Sequence, residues 1–355
     1  MRVLITGGAG FVGGALARYF MQQDAANTVV VFDNLRRRGS EWNLPGLLES
    51  GVTFVHGDVR NAADFDALEG QFDALIEASA EASVHAGVGN SPRYVLDTNL
   101  TGALNCLEFA RRRCGVFIFL STSRVYSIAP LAKIPLQSLS TRLDVSQGDS
   151  DVSGLTYKGI SEQFSCDTYR SYYGASKLAA ELLCHEYAAE SGLPVVINRC
   201  GVIAGPGQFG RTDQGVFTLW VARHLFGSPL KYTGFGGKGL QVRDLLHPED
   251  LCKLINREIE SINLVSGRTF NVGGGRAGSV SLLEYTDLCR EVTGMAVPIA
   301  EESNTASVDI PWYITDNSKV SNILSWRPEI SPRRIVEDIA EWVRIHQSTL
   351  SKLIS

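Results

Sequence analysis

Tyr173 and Lys177 stand four residues apart in Ser171-Tyr172-Tyr173-Gly174-Ala175-Ser176-Lys177, a spacing that sets both side chains on one face of a helix. A phenol is a poor base at neutral pH. A neighbouring ammonium favours the phenolate, and Tyr173 can then take the proton of a hydroxyl while a hydride leaves the carbon that bears it. The spacing alone is common on exposed helices, so the reading depends on partners. Upstream, the apolar run Val116 to Leu120 ends in Ser121-Thr122-Ser123, which puts hydroxyl groups at the carboxyl end of a strand, where ligands sit in open α/β sheets. Thr122 is the expected donor to the reacting oxygen. The competing use of these hydroxyls is to satisfy backbone groups at the strand end.

A departing hydride needs an acceptor. Gly7, Gly10 and Gly13 form G-x-x-G-x-x-G between the first apolar run and a helix starting near Phe11 and Val12. Three missing side chains let the backbone turn tightly, approach a pyrophosphate and pack helix on strand, while the helix N-terminus offers N–H donors. Asp33 closes the second apolar run, twenty residues past Gly13, where a carboxylate accepts from both ribose hydroxyls and repels a 2′-phosphate. NAD is therefore expected rather than NADP. Arg36, Arg37 and Arg38 argue the reverse if they hold a 2′-phosphate; otherwise they form a solvated basic turn. In His56-Gly57-Asp58-Val59, Asp58 and an adjoining N–H can read the adenine edge, and Asp58 can equally cap a helix over residues 61 to 69.

These groups require a sheet with its carboxyl edge facing one way. Short β-branched runs at Val3 to Thr6, Thr28 to Phe32, Thr53 to Val55, Ala74 to Ile76, Val116 to Leu120 and Val195 to Ile197 alternate with helical patterns. This predicts a Rossmann-type, doubly wound parallel α/β sheet. The periodicity predicts helices over Arg93 to Arg113 and Tyr173 to Ser191, the second stopped by Gly192 and Pro194, and a packing helix over Pro332 to His346. Ser127 to Ser171 lacks periodicity and is long for a plain connection, so it reads as a lid or binding loop, or else as a surface excursion. After Gly201 the chain turns richer in Gly, aromatic and basic residues. Residues 1–198 are expected to form the NAD-binding domain, with 242–273 partly returning to it, and 199–241 with 274–355 a smaller substrate-binding lobe.

Bulk composition narrows the class. With 355 residues and 44% hydrophobic content the chain can bury a large core. A net charge of -5 offers no general basic surface, so neither nucleic acid nor an anionic membrane is an expected partner. No signal peptide or transmembrane run is read in the sequence. Seven cysteines without CxxC spacing fit reduced thiols and a cytoplasmic location. Cys200 reads as a small buried apolar residue. His85, His185, His224 and His247 show no ligand spacing, so no metal is expected.

Together the glycine turn, Asp33, Asp58, the Ser/Thr strand end and Tyr173-x-x-x-Lys177 resemble the extended short-chain dehydrogenase/reductase family of NAD-dependent sugar-nucleotide epimerases and dehydratases. Asn99 stands where that family has its helix asparagine, and Arg243-Asp244-Leu245-Leu246-His247 is similar to its R-D-x-x-H segment. Phe270-Asn271-Val272-Gly273-Gly274, Asp309-Ile310-Pro311 and Trp326-Arg327-Pro328 extend the likeness. A finer likeness, to members that epimerise at C2, runs through Phe32-Asp33-Asn34-Leu35-Arg36 with Gly39, Thr212-Asp213-Gln214-Gly215, and Gly239 to His247. The resemblance implies a tightly held NAD, oxidation at C2 of a nucleotide-linked sugar, and return of the hydride to the opposite face of a keto intermediate. It also implies a homodimer through the helices containing Asn99 and Tyr173. Catalysis would fall to Thr122, Tyr173 and Lys177. The cofactor would meet Gly7, Gly10, Phe11, Val12, Gly13, Asp33, Asn34, Arg36, Asp58, Val59, Ala78, Ser79, Asn99, Tyr173 and Lys177. The nucleotide sugar would meet Ser123, Arg124, Gln208, Gln214, Arg243 and Asp309.

Departures from the family bear on the reaction. Glu77-Ala78-Ser79-Ala80 stands where relatives carry His-Leu-Ala, and Ser127 replaces a Gly after Val125-Tyr126. Family dehydratases place Asp-Glu where this chain has Ser123-Arg124, and the decarboxylases a Glu where Arg124 stands. Reversible hydride and proton transfer needs neither. Epimerisation is therefore expected, with a 4-epimerase or a non-epimerising NAD(P)H-dependent reductase as alternative enzymes. A cofactor-binding regulator is the alternative of another class, and the intact Thr122, Tyr173 and Lys177 speak against it.

Overall fold

Seven parallel strands carry the molecule: β1 (Arg2–Thr6), β2 (Thr28–Asp33), β3 (Thr53–His56), β4 (Phe72–Glu77), β5 (Cys114–Thr122), β6 (Val195–Cys200) and β7 (Arg268–Val272). The computed structural model describes residues 1–146, 151–209, 215–348 and 350. The strands lie in the order β7-β6-β5-β4-β1-β2-β3. Helices cover both faces, so successive side chains of one strand enter different cores: Val3 and Ile5 pack on one side, Leu4 on the other. That two-sided burial explains why these strands read as continuous apolar runs rather than alternating ones. The chain reverses its direction of winding between β1 and β4, and the crevice opens at the carboxyl ends there.

The helix Tyr172–Ser191 begins where Ser171 Oγ accepts from the Gly174 N–H at 3.2 Å and ends at Gly192, whose φ of 68° suits glycine. The single helix expected over Arg93 to Arg113 is broken into Arg93–Leu96, a π-turn at Asp97–Thr101 and Gly102–Arg113. At the break, Gly102 presses on Val59, whose Cγ2 would lie 2.8 Å from any added Cβ. Residues 61 to 69 yield a short 3₁₀ turn, Ala62–Ala67, capped by Asn61 and not by Asp58.

A second sheet, built on Val242–Leu246 and flanked by Val202–Ile203, Ser279–Ser281 and Trp312–Tyr313, packs with helices Val216–Leu225, Leu282–Thr293 and Pro332–Ile345. The last helix buries Ile335, Val336, Ile339, Ala340 and Val343, the spacing of one helical face. The described parts of Ser127 to Ser171 are pinned to this region: Leu143 N–H donates to Leu240 at 2.9 Å and Ile160 N–H to Ile314 at 2.7 Å, while Arg276 holds Asp144 at 2.9 Å. The segment is a clasp with its own antiparallel pairs, Leu136–Ser138 with Leu143–Val145 and Leu155–Thr156 with Gly159–Ile160.

Two carboxyls buried near the sheet behave differently. Glu181 pairs with Arg199 at 2.7 Å and accepts from Ser121. Glu258 accepts from Asn198 Nδ2 at 2.8 Å, and its other oxygen has no partner among the described residues. Burial pushes Glu258 up to about 8. Its folded value exceeds its unfolded one, so it is neutral at no cost in acid and subtracts stability increasingly as pH rises from about 4.5 toward 8. Glu258→Gln should therefore stabilise the protein by about 2 kcal/mol at pH 7.5 and much less at pH 4.5. Urea unfolding at the two pH values measures the difference; equal effects would exclude this origin.

Candidate active site

A cleft of about 520 Å³ lies over the carboxyl ends of β1 to β4. Gly7, Gly10, Phe11, Val12 and Gly13 line it from the first turn, Asp33, Asn34 and Arg36 from the end of β2, Asp58 and Val59 beyond β3, and Ala78 and Ser79 beyond β4. Asp33 is buried, and its carboxylate accepts from Ala9 N–H at 3.1 Å and Leu35 N–H at 2.7 Å. Burial raises its proton affinity, which those bonds oppose. Leu35 has φ of 54°, a strained value for leucine that keeps this turn tight. Arg36 lies over Tyr94, 4.5 Å from the ring centre, and Arg37 faces Glu81 at 3.6 Å. Two of the three arginines thus have partners inside the protein. Asp58 is held by Arg60 at 2.5 Å and Asn34 at 2.9 Å, which keep its carboxyl well below the usual range.

Sequence reasoning missed Tyr94 and Phe209 on the cleft wall, which Arg37 also lines; no local signal marks either aromatic. Asn99 stands behind the wall. It is 1% exposed, and its amide joins Glu81 of the loop after β4, at 2.8 and 3.0 Å, to Ser176 of the tyrosine helix at 3.0 Å.

Tyr173 and Lys177 are buried on the first turns of their helix, facing the end of β5. Thr122 Oγ1 accepts from the Arg124 N–H at 3.2 Å, the backbone use that the strand end suggested, and it lies near enough to Tyr173 to lower the phenol's proton affinity. Burial raises the phenol's proton affinity; Lys177, Thr122 and Arg124 pull it back down. Lys177 Nζ sits 3.3 Å from Glu77 Oε2 and 4.1 Å from the centre of the Phe119 ring. Cys200 is a buried thiol pushed up to about 12 by desolvation, hence neutral.

Ser123 and Arg124 follow in a 3₁₀ turn. Arg124 donates to the Val308 carbonyl at 3.2 Å, and Arg243 to the carbonyls of Val242 and Ile310, both at 2.7 Å. Neither guanidinium makes an ion pair among the described residues, and Asp309 attracts both from beyond pairing distance. Desolvation and repulsion from Arg124 pull Arg243 down to about 9. Gln208 lies apart from this cluster: it lines the cofactor-side cleft and is bonded to Ile203 and Thr218. Gln214 lies outside the described residues. Among the described residues no group of His, Cys, Asp or Glu could hold a metal ion, and no helix is long and apolar enough to cross a membrane.

Comparison with known proteins agrees with this geometry. Residues 3–273 match the model of the NAD dependent epimerase/dehydratase family. A CDP-paratose 2-epimerase of Salmonella typhi is 30% identical, over 96% of this chain and 99% of its own length. A UDP-glucose 4-epimerase of Corynebacterium glutamicum is 28% identical over 95% and 94%. The fold matches that of a UDP-glucuronic acid 4-epimerase from Bacillus cereus, solved with UDP-glucuronic acid and NAD, with a TM-score of 0.79, 23% identity and coverage of 97% and 99%. The chain is an NAD-dependent enzyme of the extended short-chain dehydrogenase/reductase type and belongs to the NAD dependent epimerase/dehydratase family.

Proposed function

We propose that this enzyme epimerises a nucleotide-linked sugar by oxidising a ring hydroxyl, with C2 the favoured carbon, and reducing the keto intermediate from its other face. The observation that carries the reading is the meeting of Tyr173, Thr122 and Lys177 beside a dinucleotide cleft, with Ser123 and Arg124 where an eliminating enzyme would need carboxyl groups. The resemblance to a CDP-paratose 2-epimerase supports C2. The UDP-glucose 4-epimerase at 28% identity supports C4 as the second reading.

The cleft fits a dinucleotide. A Cβ on Gly13 would fall 2.3 Å from the Gly7 carbonyl oxygen, and one on Gly7 2.7 Å from Ser79 Cα, so this turn is built where only backbone can pass. The turn and the following helix N-terminus would hold the pyrophosphate, Asp33 the adenosine ribose, and Lys177 the second ribose. When bound, NAD accepts a hydride from a carbinol carbon and can return it.

The rest falls to side chains. Tyr173, as phenolate, removes the hydroxyl proton and gives it back in the return step, while Thr122 donates to the reacting oxygen. Lys177 and Arg124 supply the positive charge that makes a buried phenolate accessible. Arg243 would clamp the diphosphate, whose charge would replace the carbonyl dipoles it now meets. In this reading residues 1–198 and part of 242–273 serve the cofactor, and the remainder the sugar. The exposed Leu104, Tyr172 and Leu182 suit pairing of two copies through the Asn99 and Tyr173 helices, and seven free cysteines suit a reducing cytoplasm.

Three outcomes test it. Gly13→Ala should weaken NAD retention about tenfold or more, because the added carbon meets backbone that cannot yield; extraction of cofactor from purified protein measures this, and dominance of NADP in the wild-type extract would overturn the cofactor assignment. Tyr173→Phe should keep fold and bound NAD but lose turnover. Candidate nucleotide sugars followed by NMR in deuterium oxide should invert at C2 without taking up solvent label. Inversion at C4 would move the reaction to the second reading, and label at the inverted carbon would refute hydride return.

A further inference from the structure

The charge beside the proposed base is not free. Lys177 and Glu77 face each other at 3.3 Å with side chains only 2% and 1% exposed. Ser79 Oγ donates to the other carboxylate oxygen at 2.5 Å, so both oxygens of Glu77 are engaged. The carboxylate comes from the last residue of β4, whose backbone is fixed by register with Thr6 of β1 and Phe119 of β5. A buried ammonium with a paired carboxylate is held in one position. The same carboxylate also cancels part of the positive potential that Lys177 exerts on Tyr173.

We propose that Glu77 is a positioning residue of the reaction: its buried carboxylate fixes the Lys177 ammonium and sets, toward higher pH, the point at which Tyr173 becomes the base. This rests on the Tyr173–Lys177 reading given above. The groups facing this centre come from every surrounding element: Lys177 and Cys184 from the tyrosine helix, Cys106 from Gly102–Arg113, Thr122 from β5, Arg124 from the turn after it and Cys200 from β6. Burial pushes the three thiols up, so they stay neutral. Glu77, Lys177, Arg124 and Tyr173 are left to set the pH profile.

Glu77→Gln removes one negative charge with little change of shape. Loss of that charge leaves the positive potential on Tyr173 less opposed and lowers the pH at which the phenol gives up its proton. The acid limb of the kcat profile of the NAD-loaded enzyme should move down by about one pH unit. So should the ultraviolet titration of the Tyr173 phenol, measured without substrate as the difference from Tyr173→Phe. Glu77→Asp keeps the charge but withdraws it by one methylene. It should shift both readouts less, in the same direction, with a lower kcat, and it serves if the Gln variant does not fold. If limb and titration of the folded variants coincide with wild type, the inference is wrong even where kcat falls. Turnover retained in Tyr173→Phe would instead refute the underlying reading, whereas a dead Tyr173→Phe beside unshifted Glu77 variants refutes this inference alone.

Discussion

Gly13 passes so close to Gly7 that a single added carbon would overlap the carbonyl oxygen, and Gly7 in turn lies against the backbone of Ala78 and Ser79. These contacts draw three pieces together: the end of β1, the start of the first helix and the end of β4. The β1–β4 boundary is also where the winding of the sheet reverses, so the crevice opens at the point where the backbone is tightest. Thr122, Asp33, Asp58 and Glu77 then reach one edge because each sits at or just past the carboxyl end of its own strand. A side chain in the turn would lift the helix off the sheet and move every one of them relative to the others.

Charge inside the protein follows two patterns. Lys177 with Glu77 and Arg199 with Glu181 are closed pairs, each carboxylate also accepting from a serine hydroxyl. Such pairs cost desolvation and return it as fixed geometry. Arg124 and Arg243 follow the other pattern, their guanidinium groups meeting, among the described residues, carbonyl oxygens of Val242, Val308 and Ile310. Carbonyl dipoles orient a guanidinium without neutralising it, so these two retain their attraction for an anion. The first pattern builds a scaffold and the second leaves positive charge uncompensated.

Much of this was legible in residue order, because the signals were local. Six strands, the glycine turn and the tyrosine helix follow from runs, missing side chains and caps whose partners lie within a few positions. What escaped depended on distant contacts. The π-turn at Asp97–Thr101 arises where Gly102 meets Val59, and periodicity cannot register that neighbour. The partners of the Asn99 amide, Glu81 and Ser176, lie 18 and 77 residues away along the chain. Asp58 was a fair candidate for a cap until Arg60 and Asn34 claimed it. Glu77 stood out as a departure from family sequence, but nothing near it along the chain announces Lys177 as its partner, one hundred residues on.

The described parts of the clasp between Ser127 and Ser171 tie the end of β5 to the second sheet. Tyr126, just after the Ser123–Val125 turn, donates to Asn271 Oδ1 of β7 at 2.7 Å, and Asn271 Nδ2 donates to the Ile160 carbonyl of the clasp at 2.8 Å. Gly159 meanwhile lies so close to Ile314 that a Cβ would come within 2.3 Å of its carbonyl oxygen, four residues beyond the carbonyl that receives Arg243. The turn after Thr122, the edge strand β7 and the clasp are therefore joined by hydrogen bonds, and the clasp in turn meets the segment whose Ile310 carbonyl receives Arg243. Leu131, Ile134, Leu155, Ile160 and Phe164 of the clasp also pack with Trp312 and Tyr313, so the segment is held by an apolar core as well as by these bonds.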